Sequence, residues 1–375
     1  TGDALHPVWR REIGELLEDR GGALYLKDNS SPTAFCLSTE VSCIYKRGDK
    51  TRRLHHVILF PDLASLDKVI QVLDGRGFNL KSDGRPIMGL DSEELLKILL
   101  DIDPRILLIP AHAWTPWFAI FGSKSGFDSL EECFGENSKY IYAIETGLSS
   151  DPPMNWRVSA LDRLFLISNS DAHSNENLGR EANVFEMEKP DFAELRRILV
   201  KHDNSKFLET LEFFPEEGMY HVDGHADCKF YCEPEKTKKL GGRCPNCGKL
   251  LTVGVLSRVN DLADRPVNPP KPPKAAAYRS LVPLRELIAE ALGKSKTSKT
   301  VQAEYEAMLG KASEFAYLMD LSEQELSEKC RPEVALAVSK MRRREVEIQP
   351  GYDGIYGKVR VRDASSLRPK QSSLL

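Results

Sequence analysis

Acids and histidines in this chain sit where short apolar runs end. Glu40 follows AFCLST, His112 follows LLIPA, Glu145 closes YIYAI, and Asp171 and His173 follow FLISNS. His55 and His56 are neighbours inside the apolar run RLHHVILF, and Asp3 and His6 open the chain in TGDALHP, spaced like metal ligands. Carboxylate oxygens and imidazole nitrogens gathered from several strand ends are the donor set of clusters of divalent metals with bridging oxygens. Each position alone has a plainer reading: a histidine in a strand is commonly a hydrogen-bonded core group, and Glu145 could simply cap a helix. Asp171 and His173 are stronger together, because residues two apart share a face of an extended segment. Six such positions at strand ends form a pattern that scattered structural polar residues do not easily produce.

A second set of candidate ligands is local. Cys228-x3-Cys232 and Cys244-x2-Cys247, eleven residues apart, present two knuckles for tetrahedral zinc. Gly248, in CPNCGK, permits the tight turn of the second knuckle. Four thiolates make a closed, structural site rather than a catalytic one, and His221 and His225 just upstream read as surface or supporting polar groups. Lys229, Lys236, Lys238, Lys239, Arg243 and Lys249 make this module basic, as contact with a DNA backbone requires, although a lobe that merely braces its neighbour would look the same. Cys36, Cys43, Cys133 and Cys330 are scattered and read as buried thiols. With no secretory signal, this usage of cysteine fits a reducing cytoplasm.

The elements that must position these groups follow from periodicity. Strands are predicted at 53–60, 105–110, 140–145 and 164–169, with helical patterns between them at 65–73 and at 91–100, the latter capped by Asp91 or Ser92. This alternation predicts an α/β domain with parallel strands, layered or closed into a barrel, whose carboxyl strand ends converge on one face. The expected domains are 1–204 for the α/β unit, 205–265 for the cysteine module, 266–278 for a linker and 279–375 for a small helical domain with a frayed tail. The linker carries five prolines between Pro266 and Pro273 and is stiff and extended. A turn with short strands is expected over 349–361.

Composition sets the outer limits. The chain has 375 residues, 41% of them hydrophobic and 29% charged, with a formal net charge of −4. That balance excludes a protein that coats nucleic acid by bulk charge, though not one with a local basic groove. No apolar run approaches the ~20 residues of a membrane span. No G-x-S-x-G elbow supports serine chemistry, and GKSKTSK (293–299) lacks the leading glycine and preceding strand of a phosphate loop.

Taken together, TGDALHP, STEVSCIY, RLHHVILFPD, IPAHAWTPWF, FGSKSGFDS, ETGLSSDP and SNSDAHSNENLGREANVF resemble the PHP-domain metallophosphoesterases. The cysteine module and PGYDGIYGKV extend the resemblance over nearly the whole chain and narrow it to the endonuclease Q family. The resemblance implies a distorted PHP-type β/α barrel holding two or three ions of Zn²⁺, Mn²⁺ or Mg²⁺. It implies Glu40 as a bridging ligand joined by His56 and His112, Asp171 as a ligand of the first ion, and His6 and His173 as ligands of the third, with Asp3 a ligand or its support. The resemblance favours His56 over His55, because family members place the ligand directly before a stretch like VIL, and strand alternation lets only one of them face the site. Glu40 and Asp171 are the expected catalytic carboxylates.

The resemblance further implies cleavage of DNA on the 5′ side of deaminated bases (uracil, hypoxanthine, xanthine) or at abasic sites. Selecting a lesion within a duplex requires everting it. Trp114, Trp117, Phe118 and Lys124 follow a candidate ligand directly and could stack on the base and meet phosphate; packing at the rim explains the aromatics equally well. The C-terminal QSSLL has the look of a short sliding-clamp motif. The family's first strand carries a His-x-His that this sequence lacks, so the reading is a fragment of a competent nuclease. The competing readings are a phosphatase of small phosphomonoesters and a DNA-binding homologue without a complete metal centre.

Overall fold

The computed structural model describes residues 2–82 and 85–361; the QSSLL tail, and with it the clamp expectation, lies outside the described residues. A helix over Pro7–Leu16 leads into a small hairpin of β1 (Leu17–Asp19) and β2 (Leu24–Leu26). Next come two long strands, β3 (Leu37–Arg47) and β4 (Lys50–Phe60), paired antiparallel from Leu37↔Phe60 to Arg47↔Lys50. Gly48, at φ 60°, makes the tight turn between them.

The helix Leu63–Gly75 is capped by Asp62, which accepts from the Ser65 N–H, and Ser92–Ile102 by Asp91, which accepts from the Glu93 N–H. With β5 (Ile87–Met88) and β6 (Leu107–Pro110) the long hairpin forms a sheet in the order β5-β3-β4-β6. Leu54, Ile58 and Phe60 pack with Leu66, Leu96 and Leu99 on one side of β4, while Val57 and Leu59 pack with Phe165 and Ile198 on the other. The sheet is therefore covered on both faces.

Strands β7 (Ala143–Glu145) and β8 (Phe165–Ile167) pair in parallel. β9 (Ala182–Phe185) and β10 (Phe207–Glu212) pair antiparallel. The cysteine module is built on a hairpin of β11 (Asp223–His225) and β12 (Phe230–Cys232). After the proline-rich segment, β13 (Ala277–Ser280) returns to lie parallel to β10. The C-terminal helices, among them Leu284–Ala291, Lys299–Leu309 and Pro332–Arg342, share a core with Leu211 and Phe214. The expected strands near the end are β14 (Glu347–Gln349) and β15 (Lys358–Arg360), an antiparallel pair.

The fold is thus mixed α/β with a helical C-terminal part, but its strands are not the parallel series expected from alternation. β3–β4 and β4–β6 are antiparallel, and among the described residues no sheet closes on itself. For β3–β4 the cause is local: the two-residue connection allows only an antiparallel pair. The ladder of β6 ends at Pro110, and His112 just beyond it turns at φ 28°. β13 also begins inside the expected linker, because residues from Ala277 find ladder partners on β10.

Candidate metal centre

The register of the long hairpin decides which side chains can meet. Directly opposed residues point to the same side of a sheet, and successive residues alternate. Ser42 opposes His55 and Glu40 opposes Val57, so Glu40 and His55 share one face; His56 opposes Val41 on the other. The preference for His56 is corrected accordingly. Its ring is wholly buried in the core, 2.8 Å from Ser92 Oγ and beside Phe134, and burial pushes its pKa down to about 3.

Glu40, His55 and His112 bring one donor atom each within 4.8 Å of one another. Glu40 Oε1 lies 3.1 Å from His55 Nδ1 and 3.4 Å from His112 Nε2, and the two ring nitrogens are 3.1 Å apart. None of these contacts gives Glu40 Oε1 an aligned donor, so it is a buried oxygen without a hydrogen bond. Two imidazole nitrogens and an orphaned carboxylate oxygen converging on one point are the donor chemistry of a divalent ion. Burial opposes the charge of Glu40, but the imidazoles of His112 and His55 and the nearby Arg85 outweigh it and hold the carboxyl far below its usual range. Burial lowers the pKa of His55 despite Glu40. His112 is also desolvated, yet Glu40 and Glu145 raise it.

The backbone around His112 is fixed from three directions. Its N–H donates to Glu145 Oε2 at 2.7 Å, and Asn169 Nδ2 donates to Glu145 Oε1 at 2.8 Å. Burial raises the pKa of Glu145. Gly147, at φ 61°, passes so close that a Cβ there would stand 2.6 Å from the Cβ of His112. The ends of β6, β7 and β8 therefore do converge, as the sequence predicts, but Glu145 supports the cluster from behind.

Asp171, at φ 43°, faces the cluster through Arg85. Arg85 Nε contacts Glu40 Oε2 at 2.8 Å, its Nη2 donates to Asp171 Oδ1 at 3.0 Å, and its Nη1 lies 3.2 Å from His55 Nδ1. The remaining predicted ligands are outside the cluster. His6 caps the first helix, its Nδ1 accepting from the Val8 N–H. Asp3 sits in a bridge with Thr39, alongside the start of β3. His173 has a side chain 75% exposed, with Nδ1 2.9 Å from the Asp171 carbonyl.

The aromatic loop divides. Trp114 is a core residue, 1% exposed, with Nε1 donating to Asn155 and its ring against Phe121; its expected role in binding a base is corrected. Trp117 is 38% exposed and meets Tyr220 edge-on. Phe118, at φ 62°, lays its ring 4.7 Å from that of His55, and Lys124 is exposed.

In the cysteine module the converging set is His225, Cys228, Cys244 and Cys247, not four cysteines. Cys232 is at the far end of the β11–β12 hairpin, opposite Asp223, where its sulfur meets Thr237 Oγ1 and packs with Leu251. His225, at the near end, lies 3.7 Å from Cys247 Sγ. Three thiols and an imidazole fit tetrahedral zinc. The contact with Cys247 pushes the Cys228 thiol up to about 12, a cost that a bound cation relieves.

The sequence reading missed His55, Arg85 and His225 as members of these clusters. The hairpin parity would have found His55, because Glu40 and His55 flank the Gly48 turn on matching sides. Nothing in the sequence alone marked Arg85.

Known proteins resemble this chain over parts or all of its length. Residues 283–345 match the model of the MJ0043 C-terminal domain family. The protein MJ0043 of Methanocaldococcus jannaschii is 34% identical over 258 residues, which are 66% of this chain and 31% of that protein. The chain thus spans about a third of the length of that relative. YqxK of Bacillus subtilis is 29% identical over 314 residues, 82% of this chain and 74% of YqxK. The crystal structure of the lesion-specific endonuclease PfuEndoQ from Pyrococcus furiosus is similar over 100% of this chain and 89% of its own, with TM-score 0.85 and 31% identity. A complex of endonuclease Q with a 27-mer duplex bearing an abasic lesion at the active site gives TM-score 0.83 at 31% identity, covering 100% of this chain and 90% of that one.

Proposed function

Because the chain belongs to the endonuclease Q family, we propose that it is a metal-dependent DNA repair endonuclease. Its substrate would be the phosphodiester on the 5′ side of a deaminated base (uracil, hypoxanthine or xanthine) or of an abasic site. The observation that carries this reading is the cluster of Glu40, His55 and His112, with its buried unpartnered oxygen. A divalent ion bound there would supply an activated water and neutralise charge on the phosphate. Glu40 and the two imidazoles hold the ion, Glu145 fixes His112 through its backbone, and Asp171 is the second carboxylate of the site. His173, exposed beside Asp171, is the remaining donor near it.

Phe118 covers one side of His55, and with Trp117 and Lys124 it forms the surface we assign to an everted lesion and its phosphate. His225, Cys228, Cys244 and Cys247 hold a structural Zn²⁺, and the lysines of that module meet the DNA backbone. The open sheets are read as parts of a distorted PHP-type barrel, and the free thiols suit the cytoplasm. No helix among the described residues is long and apolar enough to cross a membrane.

The test is a duplex with one deoxyuridine or one abasic site, incubated with the chain with and without Mn²⁺, Mg²⁺ or Zn²⁺, and p-nitrophenyl phosphate in parallel. A metal-dependent nick 5′ of the lesion is expected. Phosphate release without nicking means a small-molecule phosphatase, and binding without either reaction means a non-catalytic DNA-binding homologue.

A further inference from the structure

Arg85 lies between the two carboxylates that the metallonuclease reading needs for its ions. Glu40 presents its oxygens in different directions: Oε1 towards His55 and His112, and Oε2 towards Arg85 Nε at 2.8 Å. The same guanidinium donates from Nη2 to Asp171 at 3.0 Å, and its Nη1 is 3.2 Å from His55 Nδ1. The first oxygen of Glu40, with the two imidazoles, makes a pocket for one ion. The second oxygen and Asp171, where a further ion would bridge, are already neutralised by a cation of the chain itself.

We propose that Arg85 is a resident cation of this centre, holding the place of a second metal ion between Glu40 and Asp171 and contacting the scissile phosphate directly. The inference rests on the endonuclease reading above. A guanidinium carries five N–H donors that stay charged at any working pH. One of them, on Nη2, donates to Asp171, while Nε stands at ion-pair distance from Glu40 and Nη1 lies beside His55 Nδ1. The N–H groups that these contacts leave unused suit the oxygens of a phosphate, which a guanidinium meets as a planar fork. Charge delivered there is aimed where negative charge develops during phosphoryl transfer, which is the task of a second metal or of an arginine in other phosphate-cleaving sites.

Site stoichiometry tests this without reference to turnover. The full chain, with zinc retained in the cysteine module, is titrated with Mn²⁺ and followed by calorimetry and electron paramagnetic resonance. The wild-type chain is expected to take one Mn²⁺ at the cluster, with the spectrum of an isolated ion. Arg85→Ala frees Glu40 Oε2 and Asp171 and is expected to admit a second Mn²⁺, giving the spectrum of a spin-coupled pair. Arg85→Lys keeps a charge there and is expected to restore the isolated spectrum, which also controls for misfolding of the alanine variant. A coupled pair in the wild-type chain, or a single isolated ion in a folded Arg85→Ala chain, overturns the assignment of Arg85 alone. Failure of every variant to bind Mn²⁺ at the cluster overturns the metal-dependent reading itself and Arg85's role with it.

Discussion

His225, Cys228, Cys244 and Cys247 come from one short stretch of chain, whereas Glu40, His55, His112 and Asp171 come from strands and strand ends spread over residues 40–171. The first set is three soft sulfurs and one nitrogen, enough to fill a tetrahedral ion completely. The second is harder, two nitrogens and carboxylate oxygens, with only three donors converging and an arginine at the open side. A filled site leaves no position for substrate, so it holds a fold together. A site short of ligands leaves room for water and phosphate. The two clusters differ in how they are built as well. The hairpin and knuckle make the first almost unaided, while the second exists only once the β3–β4 register and the ends of β6 and β8 are in place.

The contrast is broken most severely at Glu40. Glu40→Gln keeps the shape but removes the charge that faces both imidazoles and Arg85, and cleavage of uracil-containing DNA is expected to fall on the order of 10³-fold. Its thermal midpoint should stay close to that of the parent, because the cluster is not what folds the domain. A variant that cleaves normally would remove Glu40 from the chemistry. The cysteine module should behave in the opposite sense. His225→Ala is expected to weaken zinc retention by at least about 10-fold, measured by release to a chromophoric chelator, and to loosen the module. Cys232→Ala should keep its zinc and lose only packing, about 1 kcal/mol. Zinc loss from the Cys232 variant instead would restore the four-cysteine arrangement.

His55 and His56 test the same division within one strand. His55→Ala should abolish metal-dependent cleavage with little change in stability. His56→Ala should leave a cavity beside Ser92 and Phe134 and cost roughly 2 kcal/mol, with a residual metal affinity like that of the parent. Equal effects on cleavage from both would mean that the face assigned to Glu40 is wrong.

Much of this was legible beforehand. The helices over Leu63–Gly75 and Ser92–Ile102, the strand ends bearing His112 and Glu145, and a thiol-rich knuckle all announce themselves through periodicity and spacing. What escaped was set by pairing. The choice between His55 and His56 depends on a register that apolar character alone cannot fix, since both faces of β4 are buried. Cys232 has the right spacing and the wrong end of a hairpin. Trp114 has the right neighbours but a hydrogen bond to Asn155 that only the tertiary fold supplies.

Behind the rim, a third polar cluster shows how buried carboxyls are accommodated by threonine hydroxyls. Glu212 is fully buried and accepts from Thr210 Oγ1 at 2.5 Å and Thr146 Oγ1 at 2.9 Å. Burial pushes its pKa up to about 8, and burial together with the charge of Glu212 raises Glu181 as well. A carboxyl whose pKa is raised on folding binds its proton more tightly in the folded chain than in the unfolded one. Its contribution is therefore intact below the unfolded value of about 4.3 and is lost as pH rises through the folded value near 8. Between pH 7 and 8 the loss from Glu212 amounts to about 1 kcal/mol. Glu212→Gln, which cannot ionise and keeps an amide oxygen for one threonine and an NH2 that the other hydroxyl can accept from, should flatten that part of the thermal-midpoint profile and leave the pH 5 stability nearly unchanged. An unaltered slope in the variant would mean that Glu212 is not the group that titrates there, and that a proton is not what closes this cluster.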